Sequence, residues 1–306
     1  EKTRHQVVTM LYLMLLVGMV IGALGFSLLL EPFSYFRLIQ VIQGSALVVA
    51  GLNIVAMWQM EPRRPDLTSF ELSRPSFGQS WRALSANPGA HRLLIAVALG
   101  TLGFSMQEIL LEPYGAEVLA MSVSQTTRLT AIFAGGMLIA MALSARYLGR
   151  GGEPIRLAAY GAVVGVFAFA AVIMAGAFDS LTLFAAGTLL IGIGNGLFAV
   201  GTLTAAMLLA GTATAGLVIG TWGAVQATAL GCAVFLGGAL RDMTEALIQG
   251  GMISQQLSGP ATPYGAVYHL EIIILFASLV ALGPLVRRLG NDKDQPLTMK
   301  LADFPS

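Results

Sequence analysis

The sequence has 306 residues, of which 56% are hydrophobic and only 11% charged, with a formal net charge of +1 and a mean hydropathy of +0.77. Soluble domains carry about a quarter charged residues, so this composition excludes a water-soluble globular domain and places most of the chain in lipid. The small net charge excludes an extended nucleic-acid-binding surface, and the single cysteine, Cys232, excludes a disulfide within these residues and a cysteine-based zinc site.

Eight apolar stretches are long enough to cross the hydrocarbon core of a bilayer, which takes about 20 helical residues. The fold class that they predict is all-α, a polytopic membrane protein. The predicted spans are Val7–Leu30, Leu38–Met60, Leu93–Tyr114, Leu129–Leu148, Leu157–Phe178, Leu181–Ala210, Leu217–Leu240 and Ala266–Val286.

Basic residues alternate between the two sides of this predicted membrane protein. Of the 17 lysines and arginines, 14 lie on the side that holds both ends of the chain, and only Arg37, Arg128 and Arg241 lie on the other. Lys and Arg accumulate in cytoplasmic loops. We therefore expect both ends of this chain and the long loop 61–92 to face the cytoplasm.

The long loop separates two spans from six. Many secondary transporters join two six-helix halves through a long cytoplasmic loop. On that plan residues 1–61 hold the last two spans of a first half, 62–92 form the central cytoplasmic loop, and 93–306 form a six-helix second half with a cytoplasmic tail. Four helices would then precede Glu1. We expect the two first spans to pack against the six-helix bundle and to leave one face open.

One turn is similar to a motif of the major facilitator superfamily. Arg146-Tyr147-Leu148-Gly149-Arg150 resembles the Arg-x-x-Gly-Arg portion of that motif, but the acidic residue that usually precedes it is missing. A basic turn that follows the positive-inside rule explains the same residues. The arrangement of two spans, a long loop and six spans nevertheless favours a major-facilitator-like bundle, with about 8 of an expected 12 helices present.

The third span carries the densest set of polar side chains, and ionisable groups inside a membrane are costly and mark function. Four of them recur at helical spacing and predict one shared face: Thr101, Ser105, Glu108 and Glu112. Pro113 and Gly115 are expected to break the helix after them. Such a face, with Glu108 turned inward, suits a cation, a proton or a metal-centred pigment. The structural alternative places Glu112 among the headgroups and bonds Glu108 to a neighbouring helix.

The sixth span contains Gly192-Ile193-Gly194-Asn195-Gly196, which superficially looks like a dinucleotide-binding loop. A βαβ unit cannot form inside a membrane helix, so the pattern instead predicts close helix packing around Asn195. The pairs Gly161/Gly165 and Gly216/Gly220 predict the same kind of packing.

His269 opens the last span, near the predicted non-cytoplasmic surface. A histidine there can ligate the magnesium of a (bacterio)chlorophyll, or it hydrogen-bonds locally, which is commoner for a lone residue. Asn195 and Gln226 are comparable polar candidates. The sequence holds no Ser/His/Asp set, metal-spaced histidine pair or phosphate loop, so we expect no enzymatic activity.

The segment Phe104–Ala140 carries a long and specific pattern. Met106-Gln107-Glu108-Ile109-Leu110-Leu111-Glu112-Pro113-Tyr114-Gly115 matches Met-Gln-(acidic)-x-Leu-Leu-Glu-Pro-Tyr-Gly. This segment resembles the PucC/LhaA family, a branch of the major facilitator superfamily found in phototrophs. Ala116 stands where the family often has a second glycine.

The resemblance implies a membrane assembly factor for light-harvesting antenna complexes that handles or delivers (bacterio)chlorophyll to antenna polypeptides. Its partners would be antenna or reaction-centre polypeptides and membrane lipids, in a bacterial inner or intracytoplasmic photosynthetic membrane, without nucleic acid. The pigment would be the only cofactor, with His269 as a candidate magnesium ligand. Candidate groove residues are Thr101, Ser105, Gln107, Glu108, Glu112, Tyr114, Asn195 and Gln226. Fold analogy alone favours a different function, a proton-coupled secondary transporter that uses Glu108 as its coupling carboxylate.

Overall fold

The computed structural model describes residues 34–57, 88–209, 215–252 and 259–291, together with Gly78 and scattered residues between 14 and 30. These ranges fold into helices, and they contain no strand. The helices are α1 (Tyr35–Met57), α2 (Pro88–Ser105), α3 (Leu111–Val118), α4 (Val123–Gly149), α5 (Pro154–Ala177), α6 (Leu181–Leu209), α7 (Ala215–Gln249) and α8 (Thr262–Asn291). A short 3-10 turn, Met106–Ile109, lies between α2 and α3.

Among the described residues, 7 helices are long and apolar enough to cross a membrane. They correspond to the second to eighth predicted spans, so the prediction of an all-α polytopic membrane protein is confirmed. About half of the first predicted span, Val7–Leu30, and most of the loop 61–92 lie outside the described residues.

Several helices are longer than the spans predicted for them. Helix α7 extends to Gln249 and α8 to Asn291, each past the predicted end. Hydropathy detects the part of a helix that lies in hydrocarbon, whereas the backbone hydrogen bonds continue into the interface. At its other end, α2 begins within the predicted loop, at Pro88, where the missing N–H of proline costs nothing because the first helical N–H groups have no intrahelical partner.

Close contacts between backbones fix the centre of the bundle. A Cβ added at Gly161 would lie 2.6 Å from the backbone nitrogen of Phe198, and one at Gly194 would lie 2.8 Å from the carbonyl oxygen of Gly161, so α5 and α6 cross with their backbones in contact. Helix α4 meets α6 in the same way at Gly136 and Gly192. Lipid solvates apolar side chains as well as protein does, so such close packing is what holds membrane helices together. The predicted packing around Asn195 is confirmed.

The corresponding prediction for Gly216/Gly220 is wrong for the part of the chain that the structure describes. A Cβ added at either glycine would meet nothing within 4 Å. The two residues instead line an open groove on α7 with a volume of about 600 Å³. The sequence shows that a small-residue face exists on a helix, but whether another helix covers it depends on the rest of the assembly.

Helix α1 packs differently from our expectation. None of its residues is buried, and a Cβ added at Gly44 or Gly51 would meet nothing within 4 Å among the described residues. Within the described residues, the expected packing of this span against the six-helix bundle is not observed, and the same expectation for the first span stays a prediction. A uniformly apolar helix gains little by leaving lipid unless small residues or polar groups match a partner surface.

Two adjacent glycines of α4 offer a matched test of the central crossing. A Cβ at Gly136 would overlap the carbonyl oxygen of Leu189, whereas a Cβ at Gly135 would meet nothing within 4 Å. We expect Gly136→Ala to lower the free energy of unfolding by about 1–3 kcal/mol, because backbone must move to admit the methyl group. Gly135→Ala should leave it unchanged or raise it by up to about 1 kcal/mol through helix propensity. Detergent-denaturation titrations measure both, and equal effects would contradict the crossing geometry.

Candidate functional site

A break in the third predicted span is the centre of the candidate site. A proline inside a helix removes one backbone N–H and collides with the carbonyl four residues earlier, which here belongs to Ile109. The chain avoids this collision because α2 ends at Ser105, a 3-10 turn follows, and α3 begins at Leu111 with Pro113 in its first turn. The predicted break is confirmed, but it lies before Pro113 rather than after it. Gly115 is inside α3, where a Cβ would lie 3.0 Å from Sδ of Met121.

A side chain from the last helix holds this break. The backbone N–H of Gln107, within the 3-10 turn, donates a hydrogen bond of 2.8 Å to Oε1 of Glu271 on α8. Glu271 is completely buried and Gln107 is only 2% exposed. A hydrogen bond between a backbone amide and a carboxyl oxygen is strong in such surroundings, because no water competes for either group. Glu271 therefore stabilises the 3-10 turn at the break between α2 and α3.

Three oxygen atoms beside this bond have no hydrogen-bond partner among the described residues: Oε2 of Glu271, Oε1 of Gln107 and the hydroxyl of Tyr268. An isolated carboxylate is costly in an apolar interior, and the cost is relieved by a proton, a cation or an ordered water molecule. The buried end of α8 thus presents a polar centre inside a lipid-embedded bundle. Such centres in membrane proteins are candidates for function by default.

Aromatic rings surround the polar centre on the side toward α3. The ring of Tyr114 lies 5.4 Å from that of Tyr264 and 5.5 Å from that of Tyr268, both edge-on. The hydroxyl of Tyr264 donates to Glu117 at 2.6 Å, and Arg241 lies 3.2 Å from the same carboxylate oxygen. Helices α3, α7 and α8 are tied together at this end of the bundle.

The prediction of one shared polar face is wrong. Thr101 and Ser105 are buried, as predicted, but Glu108 and Glu112 are exposed, and Gln107 points inward instead. The 3-10 turn has about 3.0 residues per turn against about 3.6 in an α-helix, so the face that is buried before the turn is not the face that follows it. Glu108 does not face the interior of the described bundle. The carboxyl group that is buried in the interior is that of Glu271.

The other predicted residues lie on separate helices. Glu112 accepts a hydrogen bond of 2.9 Å from the hydroxyl of Thr130 on α4, which ties the start of α3 to its neighbour. Asn195 is half-buried on α6 and Gln226 is half-buried on α7. Neither of them makes a hydrogen bond to the helix break within the described ranges. The structure therefore brings Gln107 and Tyr114 together with Glu271, and leaves these others apart.

His269 has the chemistry of a single magnesium ligand. It is exposed on α8, and its Nδ1 lies 2.6 Å from the carbonyl oxygen of Gly265, one turn earlier. When Nδ1 carries the proton and donates it to that carbonyl, the lone pair of Nε2 points away from the helix and can bind a metal. The described residues contain no cluster of three or more His, Cys, Asp or Glu side chains that could hold a bare metal ion.

The sequence contained a signal for the polar centre that our predictions did not use. Tyr264, Tyr268, Glu271 and Ser278 recur at helical spacing and are all buried on one side of α8. The hydroxyl of Ser278 donates to the carbonyl oxygen of Ala96 on α2 at 3.1 Å. This polar face in the last span marks a candidate site by the same criterion that we applied to the polar residues of the third span.

Comparisons with known proteins identify a family. The family model of the PUCC protein matches residues 1–290. An uncharacterized protein of the puhA-bchM intergenic region of Rhodobacter capsulatus is 46% identical over 312 residues, covering 100% of this chain and 65% of its own. Protein PucC of Cereibacter sphaeroides is 45% identical over 289 residues, with 94% of this chain and 61% of its own covered. The chain thus spans less than two thirds of the length of these relatives.

More distant proteins are also similar. The bacteriochlorophyll synthase 44.5 kDa chain of Rhodobacter capsulatus is 27% identical, over 94% of this chain and 66% of its own. A crystal structure of a bacterial homologue of the human lysosomal transporter Spinster, in an inward-facing and unoccupied conformation, superposes with a TM-score of 0.58 at 17% identity. The match covers 92% of this chain and 69% of the transporter chain, and it shows a major-facilitator-type fold.

Two substitutions at Glu271 test whether its side chain holds the break. Glu271→Gln keeps a carbonyl oxygen that can accept from the Gln107 amide, whereas Glu271→Leu keeps the bulk but leaves that amide unpaired. We expect Glu271→Leu to be less stable than Glu271→Gln by about 1–3 kcal/mol, the cost of an unsatisfied buried donor. Denaturation of both variants in the same detergent measures the difference. Equal stability would show that the carboxyl group does not hold the turn.

Proposed function

The chain belongs to the PUCC family, and we propose that it is part of a membrane assembly factor for photosynthetic light-harvesting antenna complexes, which handles (bacterio)chlorophyll for antenna polypeptides. The observation that carries this proposal is the family match, which extends over residues 1–290 and includes the motif Met106–Gly115. A relative that is named as a chain of bacteriochlorophyll synthase supports the part of the proposal that concerns (bacterio)chlorophyll.

The motif residues have two roles in this proposal. Gln107 and Tyr114 are buried and shape the helix break, whereas Glu108, Ile109 and Glu112 are exposed on the outside of the bundle. Glu112 also bonds to Thr130, but a motif with only a packing role has no need to place Glu108 and Ile109 on its outer side. The exposed half is a surface for a partner polypeptide or a pigment.

The partners would bind through helix surfaces rather than through a soluble domain. Helix α7 presents exposed small residues, including Gly216, Gly220 and Gly231, where a Cβ would meet nothing within 4 Å among the described residues. Small residues allow the backbone of a second transmembrane helix to approach closely. Antenna polypeptides offer such helices, and the exposed imidazole of His269 offers a ligand for a pigment at the surface of the same bundle.

A second function, proton-coupled transport, has one specific observation in its favour. The fold is of the major facilitator type, and Glu271 is a fully buried carboxyl group inside a span. In a transporter, such a group would take up and release the coupling proton. A transporter of this fold would therefore use Glu271 rather than Glu108 as its coupling carboxylate, but this alternative gives no account of the exposed half of the family motif.

An absorption spectrum separates the two functions. The full-length protein and a His269→Leu variant are purified in mild detergent from a phototrophic host, and their absorption spectra are compared. The assembly factor should carry (bacterio)chlorophyll bands and antenna subunits, and His269→Leu should reduce the pigment bands. A colourless wild-type protein that takes up a solute in proteoliposomes would overturn the proposal and favour the transporter.

Glu108 tests the exposed half of the motif. Glu108→Gln keeps the size and hydrogen-bonding capacity of the side chain and removes its charge, so we expect normal insertion but reduced accumulation of antenna complexes in a host that lacks its own copy of the protein. Glu245→Gln, on the C-terminal turns of α7, is the control and should support full accumulation. Full antenna levels with Glu108→Gln would leave Glu108 without a functional role.

A further inference from the structure

A groove with a cationic rim lies between the beginning of α2 and the end of α8. It has a volume of about 540 Å³. Ile95, Val280 and Leu285 form apolar walls, and His91 and Arg92 lie at the rim. Ile95 and Val280 are 53% and 74% exposed, so the groove opens on the outer, lipid-facing surface of the bundle. It is separate from the helix break and from His269, which lies at the other end of α8.

Pro284 lines the groove on the side of α8. It lies inside the helix, where it removes one backbone N–H and disturbs the carbonyl groups of the preceding turn. Arg92 binds to that turn: its Nε donates to the carbonyl oxygen of Ala281 at 3.1 Å. This bond anchors the guanidinium group at the rim, and the guanidinium has four further N–H donors on its two Nη atoms.

Among the described residues, no acidic side chain lines the groove beside Arg92. Neither the residues that line it nor the first turn of α2 include an aspartate or glutamate. A positive rim above apolar walls is complementary to an amphiphile with an anionic head and an aliphatic tail.

We propose that this groove is a binding site for an anionic phospholipid. Arg92 and His91 would bind the phosphate, and one acyl chain would lie along Ile95 and Val280. Arginine matches phosphate with two parallel hydrogen bonds, and basic pockets between transmembrane helices on the cytoplasmic side bind acidic headgroups. The positive-inside distribution predicts that the start of α2 lies on that side, at the depth of the headgroups. Free phosphate would use the rim but would gain nothing from the apolar walls.

Lipid retention tests the site. The full-length protein is exchanged into nanodiscs of phosphatidylcholine with a rising fraction of phosphatidylglycerol, and the lipids that survive release from the nanodisc are identified by native mass spectrometry. Wild-type protein should retain one phosphatidylglycerol, and Arg92→Gln should weaken that retention by about tenfold or more. Arg150→Gln removes the same charge from an exposed position after α4 and is the matched control, which should bind like the wild type.

A second variant tests the apolar half without a change of charge. Ala277 lines the groove and is exposed, so Ala277→Trp fills the groove from the lipid side and leaves the packed core of the bundle untouched. It should also abolish retention, while its denaturation midpoint stays that of the wild type. Equal losses in Arg92→Gln and Arg150→Gln would overturn the proposal. Unchanged lipid retention in Ala277→Trp would also overturn it. Displacement of the lipid by inorganic phosphate at equal concentration would do the same.

Discussion

The hydrogen bond from the Gln107 amide to Glu271 is the constraint on which the candidate site depends. It joins residues 164 positions apart and lies at a point where Pro113 disfavours a continuous helix, because the proline removes one backbone N–H and collides with the carbonyl four residues earlier. Once the turn is fixed, Tyr114 packs inside the bundle against the tyrosines of α8, and Glu108 lies outside it. This hydrogen bond thus determines which residues of the family motif are buried, such as Gln107 and Tyr114, and which are exposed, such as Glu108.

The bundle around this bond is held by fit rather than by exclusion of water. Helix α6 meets α5 and α4 through glycine contacts such as Gly161 with Gly194, which leave no space for a methyl group. Within the described ranges, the glycines of α1 make no such contacts and none of the helix's residues is buried. In lipid, an apolar helix packs only where a complementary surface exists. The exposed glycines of α7 are such a surface, and they explain why the proposed function places its partners there.

The sequence was sufficient for the parts of the structure that depend on composition and local chemistry. Long apolar stretches predicted the described spans, Pro113 predicted a break, and the glycines beside Asn195 predicted a close crossing. The side of each polar residue could not be predicted, because the 3-10 turn shifts the register after Ser105. The polar face of α8 could be read from the spacing of Tyr264, Tyr268 and Glu271, but the partner of Glu271 could not, because it is the backbone amide of a distant residue and no pattern of side chains records such a contact.

Hydrogen exchange at the Gln107 amide tests the central claim most directly. In the full-length protein in nanodiscs, the amide should exchange slowly in the wild type and in Glu271→Gln, since both present an acceptor oxygen. In Glu271→Leu it should exchange faster by about fivefold to a hundredfold, because an unsatisfied buried donor costs about 1–3 kcal/mol. The amide of Leu110, which donates to the carbonyl oxygen of Gln107, is the internal reference. Equal exchange at Gln107 in all three proteins would contradict the account.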